Sequence, residues 1–104
     1  MEVLQTEQFT KWLSKLRDRD ARGRIVTRLF RLARGNSGDS RSVGSGVIEL
    51  KISIGPGYRV YYIVRGTLLV VLLCGGDKST QPEDIQRAKE LAEEIDGLEL
   101  KKWP

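Results

Sequence analysis

The spacing of apolar residues changes twice along the chain. Between Thr6 and Gly35, apolar residues recur every three or four positions, which is typical of two amphipathic α-helices. From Val47 to Cys74 they alternate with polar residues or become continuous, as in half-buried and fully buried strands. Beyond Thr80 the helical spacing returns. These patterns predict a helical hairpin, three strands in an antiparallel meander, and a last helix.

Residues that start and stop elements support this division. Thr6 is a favourable N-cap, and residues 2–5 ahead of it predict a short edge strand. A Gly- and Ser-rich segment at 35–46 predicts a mobile connector, and Gly55-Pro56-Gly57 and Arg65-Gly66 predict turns. A loop is predicted at 75–79, and after it a capping box of Thr80 and Glu83 begins the last helix. The tail Leu98 to Pro104 carries no predicted element. The order β-α-α-β-β-β-α predicts an α+β fold, and the length of 104 residues predicts a single domain over 1–104.

Charge narrows the class of partner. Lys and Arg number 18 against 14 acidic residues, a net charge of +4, and eight arginines fall between positions 17 and 41. Arg24, Arg28 and Arg31 lie on the side of the second helix opposite its apolar residues. Such a cluster favours an anionic partner, which is a nucleic acid, an acidic protein, or both in turn, and a solvated helix face is the alternative.

Several other classes of protein are disfavoured. The chain has no histidine and one cysteine, Cys74, so we expect no zinc site and no other metal or cofactor. Cys74 lies in an apolar run, as a small buried hydrophobe does. No apolar run approaches the roughly 18 residues of a membrane span, and no secretory signal is visible. A cytoplasmic protein without a membrane partner is therefore expected.

The strand pattern brings two cations and a phenol together. Pairing Ile54 with Tyr58 across the Gly-Pro-Gly turn fills one face of the hairpin with apolar and aromatic residues. On the other face, this register sets Lys51 opposite Tyr61 and diagonal to Arg59. The sequence therefore predicts a polar site on that face of the sheet.

The third strand completes the candidate site. Pairing Leu72 with Arg59 carries the following loop, with Lys78 in it, to the Arg59 end of the sheet. The candidate catalytic residues are Lys51, Arg59, Lys78 and Tyr61, and the candidate RNA-binding residues are Arg24, Arg28, Arg31, Lys51, Arg59 and Lys78. Cations around one phosphodiester stabilise the charge that develops in its transition state. Solvated charges that protect a sheet edge are the alternative interpretation.

RNA suits this site because its 2′-hydroxyl is an internal nucleophile, so that no metal and no covalent intermediate is needed. A base must still remove the hydroxyl proton. Lys51 is the first candidate for this base, because a second cation nearby favours its neutral amine. Glu49 and Asp77 are the other candidates for the base. Tyr61 or a cationic side chain would assist the leaving oxygen.

Two motifs resemble those of a known family of toxins. The chain is similar to HigB-like addiction module killer proteins in the run Gly57-Tyr58-Arg59-Val60-Tyr61-Tyr62, which follows Glu49-Leu50-Lys51-Ile52, and in the run Leu72-Leu73-Cys74-Gly75-Gly76-Asp77-Lys78-Ser79-Thr80-Gln81. These proteins, also called phage Gp49-like, are a branch of the RelE/ParE toxin superfamily. The similarity spans nearly the whole chain, and the second run is the more specific.

The resemblance implies a RelE-like fold and the toxin of a type II toxin–antitoxin pair, silenced by a HigA-like helix-turn-helix antitoxin. RelE-like members cleave mRNA in the ribosomal A site with lysines and an arginine of the sheet. By this resemblance, Arg59 matches the arginine of the sheet, and Lys51 matches a strand lysine. Lys78 matches a basic residue that the family carries in the loop. Ribosome-dependent relatives often carry Tyr or His near the last helix or the tail. This chain has neither there, and Tyr61 is the candidate substitute.

The superfamily also leaves other functions open. The main hypothesis is a metal-independent endoribonuclease, an mRNA interferase that acts on the ribosome and inhibits translation. A ParE-like toxin would instead bind and poison DNA gyrase without catalysis, and would need the cations only for folding or docking. An inactive relic or a phage accessory protein would only bind a partner.

Overall fold

The predicted helical and strand segments form three helices and six strands in the computed structural model, which describes residues 1–104. In chain order the elements are β1 (Glu2–Thr6), α1 (Glu7–Lys15), α2 (Arg19–Ala33), β2 (Ser40–Gly44), β3 (Val47–Ile52), β4 (Tyr58–Arg65), β5 (Leu69–Asp77), α3 (Gln81–Glu93) and β6 (Leu100–Lys102). Short 3-10 turns lie at Lys78–Thr80 and Ile95–Gly97. The predicted α+β class is confirmed.

The two N-terminal helices begin at capping side chains. The hydroxyl of Thr6 accepts the backbone N–H of Phe9 at 3.1 Å, which confirms the predicted N-cap. The carboxylate of Asp18 accepts the N–H of Ala21 at 3.1 Å and begins α2 in the same way. Phe30, which the helical spacing assigns to the apolar face of α2, is exposed. The buried stripe of α2 is therefore narrower than predicted, and consists of Ala21, Ile25, Leu29 and Leu32.

The start of α3 differs from the prediction. Thr80 makes no capping bond to the backbone, and its hydroxyl donates instead to the carboxylate of Asp84 at 2.6 Å. The predicted capping box of Thr80 and Glu83 is therefore wrong. Pro82 stands in the first turn, as predicted.

All six strands join one mostly antiparallel sheet in the order β2-β3-β4-β5-β1-β6. The prediction of an edge strand at 2–5 is wrong in position, since β1 lies inside the sheet, parallel to β5 and antiparallel to β6. The prediction of a mobile connector at 35–46 is wrong over Ser40–Gly44, which forms the edge strand β2. Neither strand shows an apolar alternation long enough to reveal its place.

The meander β3–β4–β5 is confirmed, but the register of β3 on β4 is shifted by two residues. Lys51 lies opposite Arg59, and Glu49 lies opposite Tyr61. The shift arises because residues 53–57 all belong to the turn. A shift of two keeps each side chain on its predicted face, so the polar residues still share one side of the sheet.

The pairing of β4 with β5 differs more. β5 continues through two glycines to Asp77, where the sequence predicts a loop. Gly76 therefore lies opposite Arg59, and the predicted pairing of Leu72 with Arg59 is wrong, since Leu72 pairs with Tyr62. The segment after β5 nevertheless reaches the Arg59 end of the sheet, as predicted.

Helices cover both faces of the sheet. α1 and α2 pack on one face over a core that includes Phe9, Ile25 and Leu72. α3 packs on the other face, over Tyr61 with its own Leu91. β5 is thereby buried on both sides, as its continuous apolar run predicts. Each of the three helices is too short or too polar to cross a membrane.

Candidate functional site

A polar cleft opens where β3 ends and β4 begins. It encloses about 310 Å³, no apolar side chain lines it, and its walls are formed by Asp39, Ser40, Arg41, Glu49, Lys51, Arg59 and Gln81. These residues come from β2 and the residue before it, from β3 and β4, and from the start of α3. The observed register places Lys51 and Arg59 directly opposite each other, and so brings both cations into one wall.

Glu49 is the buried centre of the cleft, with 2% of its surface exposed. Its carboxylate accepts hydrogen bonds from Arg41 Nε at 2.9 Å, from the Tyr61 hydroxyl at 2.9 Å and from Gln81 Nε2 at 2.8 Å. Burial by itself raises the pKa of a carboxyl, but these three donors outweigh it and hold the pKa of Glu49 below its ordinary value. Glu49 is therefore an anion that fixes the side chains around it.

Arg59 is a buried cation with unused hydrogen-bonding capacity. Only 5% of the residue is exposed, and one terminal nitrogen donates to the carbonyl of Gly57 at 2.6 Å. Its Nε lies 3.8 Å from Glu49 Oε1 and makes no hydrogen bond. Leaving a buried donor unpaired is costly, so a partly satisfied guanidinium at the wall of a cleft favours an anionic ligand.

The structure brings two of the four predicted catalytic residues, Lys51 and Arg59, into the cleft wall. Lys51 is exposed there. Lys78 is exposed in the turn after β5, outside the cleft wall but at the same end of the sheet. A methyl group placed on Gly57 would lie 3.6 Å from the Lys78 Cβ, so Lys78 borders the turn that Arg59 binds.

Tyr61, the fourth predicted catalytic residue, lies below the cleft and does not line it. The residue is fully buried, and its hydroxyl donates to Glu49. Burial, and then the hydrogen bond to Glu49, raise the pKa of Tyr61 far above its ordinary value, so the phenol keeps its proton. Its contact with the cleft passes through the carboxylate of Glu49.

The two glycines at the end of β5 permit close packing behind the cleft. A methyl group on Gly75 would lie 2.4 Å from the ring of Trp12, and one on Gly76 would lie 1.8 Å from Asp84 Oδ2. The helices α1 and α3 therefore approach β5 as closely as a glycine allows. Burial raises the pKa of Asp84 at this contact. These glycines of the second motif are thus explained by packing.

The turn that follows β5 is held by Asp77. Its carboxylate accepts the backbone N–H of Ser79 at 2.8 Å and also the Ser79 hydroxyl. These hydrogen bonds, the hydroxyl first, lower the pKa of Asp77. Asp77, a candidate base on sequence grounds, is here an ionised acceptor that shapes the turn carrying Lys78.

A second basic surface, the α2 groove, runs along α2 beside the β3–β4 turn. Four arginines line it, namely the predicted Arg24, Arg28 and Arg31 together with Arg19. Residues 52–54 form its other wall. The α2 groove and the cleft therefore lie on either side of the end of β3, next to Lys51.

Arg28 differs from the other arginines of the α2 groove because its guanidinium is bound within the fold. It donates to the backbone carbonyl of Lys51 at 2.7 Å, and to those of Ser37 and Asp39 at 3.3 and 3.4 Å. The sequence assigns Arg28 to a basic outer wall, whereas the structure shows it linking α2 to the strand end that carries Lys51.

Sequence reasoning missed Arg41 and Gln81 as residues of the site. Arg41 falls in the segment predicted to be a connector, and only the pairing of β2 with β3 places it opposite Glu49. Opposite charges at these two positions would have been informative once β2 was recognised. Gln81 ends the second motif, but its distance from Glu49 along the chain hides the hydrogen bond between them.

Comparison with known proteins gives two matches. Residues 11–95 match the family described as "Phage derived protein Gp49-like (DUF891)". The chain is also 50% identical, over 95 residues, to a protein of Haemophilus influenzae that carries the name "Uncharacterized protein". That similarity covers 91% of this chain and 96% of the relative. Both matches include the strands and the helix start that form the cleft.

Proposed function

The chain belongs to the phage-derived Gp49-like family, which is toxin-like, and on this premise we propose that it is the toxin of a type II toxin–antitoxin pair. We further infer that it is an endoribonuclease that cleaves mRNA on the ribosome without a metal or cofactor. The observation that carries this proposal is the placement of Lys51 opposite Arg59 in one cleft without apolar lining. Two cations on neighbouring strands suit a phosphodiester.

Cleavage uses the 2′-hydroxyl of the RNA itself. The 2′-oxygen attacks the adjacent phosphorus, the bond from phosphorus to the 5′-oxygen breaks, and the products are a 2′,3′-cyclic phosphate and a 5′-hydroxyl. In the proposed step, the neutral amine of Lys51 in the cleft wall takes the proton of the 2′-hydroxyl and becomes an ammonium beside the phosphate. Arg59 offsets the charge of the pentacovalent transition state, and Lys78 supplies a proton to the leaving 5′-oxygen.

Tyr61 contributes to this reaction through Glu49. Its buried hydroxyl donates to the Glu49 carboxylate, which also accepts from Arg41 and lies beside Arg59. In this proposal Tyr61 is a positioning residue that keeps Glu49, and through it the guanidinium of Arg59, in place for the phosphate.

The proposed partners are mRNA, the ribosome and a HigA-like helix-turn-helix antitoxin, all in the cytoplasm. The α2 groove supports a nucleic-acid partner, since Arg24 and Arg31 are exposed along it and the chain carries a net charge of +4. Such contacts to phosphates position RNA without reading its sequence. Base preference is therefore expected to come from the ribosomal setting.

Growth arrest and mRNA cleavage on purified ribosomes test the proposal. We expect Lys51→Ala and Arg59→Ala each to slow cleavage by about 100-fold or more, because each removes one cation from the transition state. Both variants should fail to arrest growth, and mapped mRNA 5′ ends should match those of ribosomes without toxin. Lys15→Ala, which removes an exposed cation of α1 outside both basic surfaces, is the matched control and should cleave at the wild-type rate.

Full toxicity of both cleft variants, with wild-type circular dichroism, would contradict the nuclease. Inhibition of purified DNA gyrase by those variants would then identify the ParE-like alternative. An absence of growth arrest with the wild-type chain would indicate an inactive relic or an accessory protein instead.

A further inference from the structure

Arg41 of β2 is a cation of the cleft wall that the proposed reaction does not use. Its Nε donates to Glu49 Oε1 at 2.9 Å, and its side chain is nevertheless 62% exposed. The two terminal nitrogens of its guanidinium make no hydrogen bond within the protein. An arginine that is bound only through Nε keeps these nitrogens available for a second anion. Arg41 is therefore held at the cleft with part of its hydrogen-bonding capacity free.

The strand register places Arg41 among the other cations of the cleft. Arg41 lies opposite Glu49, and Lys51 lies two residues further along β3 on the same face of the sheet. The Cα atoms of such diagonal neighbours are about 7–8 Å apart. The Nε of Arg59 approaches the same Glu49 oxygen, at 3.8 Å. Three cations therefore surround one buried carboxylate and share one opening.

The charges of the cleft wall depend on Arg41. Asp39 and Glu49 line the cleft together with the three cations, so the wall carries one more cation than anion. Without Arg41 these formal charges would cancel, and the cleft would lose its net attraction for a phosphodiester. Glu49 is buried whereas Arg41 is largely exposed, so the positive charge is the one that faces solvent.

The position of β2 leaves Arg41 accessible to a long substrate. β2 is the edge strand beside β3, and no further strand pairs with its outer side. An oligonucleotide can therefore cross β2 on its way to Lys51 and Arg59, and it then passes the guanidinium of Arg41.

We propose that Arg41 is a further catalytic residue of this protein, which binds a non-bridging oxygen of the scissile phosphate together with Arg59. This inference rests on the proposed function, because its ligand is the RNA phosphodiester of that reaction. The guanidinium of Arg41 forms and breaks no covalent bond. It offsets the negative charge that the non-bridging oxygens gain as the 2′-oxygen attacks phosphorus. A role limited to holding Glu49 in place is the alternative.

Cleavage of a model mRNA on purified ribosomes separates the two roles of Arg41. We expect Arg41→Ala to slow cleavage by about 10- to 100-fold, mainly in kcat. Arg41→Gln keeps an amide donor for Glu49 without the charge, and it should be as slow as Arg41→Ala. Both variants should keep the wild-type circular dichroism, because the side chain is mostly exposed.

Arg65→Ala is the matched control, since it removes an exposed arginine at the other end of β4. This variant should cleave at the wild-type rate. A wild-type rate of Arg41→Gln would mean that Arg41 only holds Glu49, and would overturn the proposal.

Sulfur substitution at the scissile phosphate tests the contact itself. Sulfur in place of one non-bridging oxygen weakens the hydrogen bonds to that position, so the wild-type protein should cleave the two phosphorothioate diastereomers at different rates. We expect the ratio of these rates to shrink by about threefold or more in Arg41→Ala, because the contact is already lost there. Equal ratios in the wild type and in Arg41→Ala would overturn the proposal.

The inference and the proposed nuclease fail separately. Binding of a single-stranded RNA with 2′-deoxyribose at the scissile nucleotide, which cannot be cleaved, is measured by fluorescence anisotropy at several salt concentrations. Arg41→Ala should reduce the slope of log K against log salt by about 0.7, and Arg65→Ala should leave it unchanged. A wild-type chain that cleaves no mRNA but shows this difference contradicts the nuclease alone. Wild-type cleavage and binding by Arg41→Ala overturn the inference alone.

Discussion

At the scale of single residues, Glu49 orders the cations of the cleft. Arg41 donates to it, Arg59 lies beside it, and Tyr61 and Gln81 take up its other oxygen. The Nε atoms of Arg41 and Arg59 lie 2.9 and 3.8 Å from the same oxygen of Glu49. Without that anion between them, the two guanidinium groups would repel each other. A buried carboxylate is expensive to desolvate, and its three donors offset that cost. The cleft therefore depends on a residue that does not itself touch the proposed substrate's reacting atoms.

Replacing Glu49 should change how stability depends on pH. The pKa of Glu49 is lowered in the folded state, so its carboxylate stabilises the fold above the ordinary carboxyl pKa and loses that effect as the pH falls through the lowered value. We expect Glu49→Gln to lose about 1–3 kcal/mol of unfolding free energy at neutral pH, and to show a shallower further loss in acid. Urea unfolding at several pH values measures both effects.

Glu83→Gln is the control, because Glu83 is exposed on α3. Its unfolding free energy should follow that of the wild-type protein throughout. A Glu49→Gln variant as stable as wild type at neutral pH would mean that the hydrogen bonds to Glu49 do not hold the cleft together.

At the scale of elements, β5 joins the packing of the two helix layers to the site. Its last three residues carry no apolar side chain, yet they remain in the sheet. Gly75 and Gly76 let Trp12 and Asp84 approach the strand from α1 and α3. This packing leads the chain directly into the turn with Lys78. The glycines of the second motif, Leu72 to Gln81, therefore have a structural role, because their packing places Lys78 at the cleft end of the sheet.

The same substitution at two glycines should have opposite effects. Gly75→Ala forces a methyl group to within 2.4 Å of the Trp12 ring, and we expect it to destabilise the protein by about 1–3 kcal/mol. Gly23→Ala in α2 meets no atom within 4 Å and restricts the unfolded chain, so it should stabilise by about 0.5–1 kcal/mol. Thermal unfolding of both variants checks the signs. Equal melting temperatures would show that the strand yields to the added methyl group.

At the scale of the whole molecule, two basic surfaces meet at the end of β3. Arg28 connects them, since it lines the α2 groove and holds the carbonyl of Lys51 in place. According to the proposed function, a single strand of RNA in the cleft therefore has further cations within reach along α2.

The salt dependence of RNA binding should show whether the arginines of the α2 groove contact phosphates. Each contact between a cation and a phosphate of a single strand contributes about 0.7 to the slope of log K against log salt. We expect the double variant Arg24→Ala/Arg31→Ala to reduce that slope by about 1.4 in binding to single-stranded RNA of some ten nucleotides. Fluorescence anisotropy at several salt concentrations measures it.

Lys11→Ala/Lys15→Ala on α1 removes the same charge outside both basic surfaces and should leave the slope nearly unchanged. Equal losses in the two double variants would mean that net charge alone attracts RNA, and that the α2 groove has no special part in binding.

Much of the fold was predictable because helix and strand periods are local. The stripe that begins at Phe9, the cap at Thr6 and the alternation in β3 are readable from neighbouring residues alone. The face of the sheet that carries Lys51 and Arg59 was also predictable, since a register error of two preserves the side. What local pattern does not specify is the length of a turn, and the exact partner of each strand residue depends on that length.

The sequence by itself determined the periods of the elements, the excess of positive charge, and the motifs that relate this chain to its family. Only the tertiary structure decided that β1 lies inside the sheet, that β2 is a strand, and that Arg41 and Gln81 reach Glu49. The physical reason is that burial and hydrogen bonding are settled between residues far apart in the chain. The sequence pattern does not distinguish a buried carboxylate such as that of Glu49 from a solvated charge on a strand.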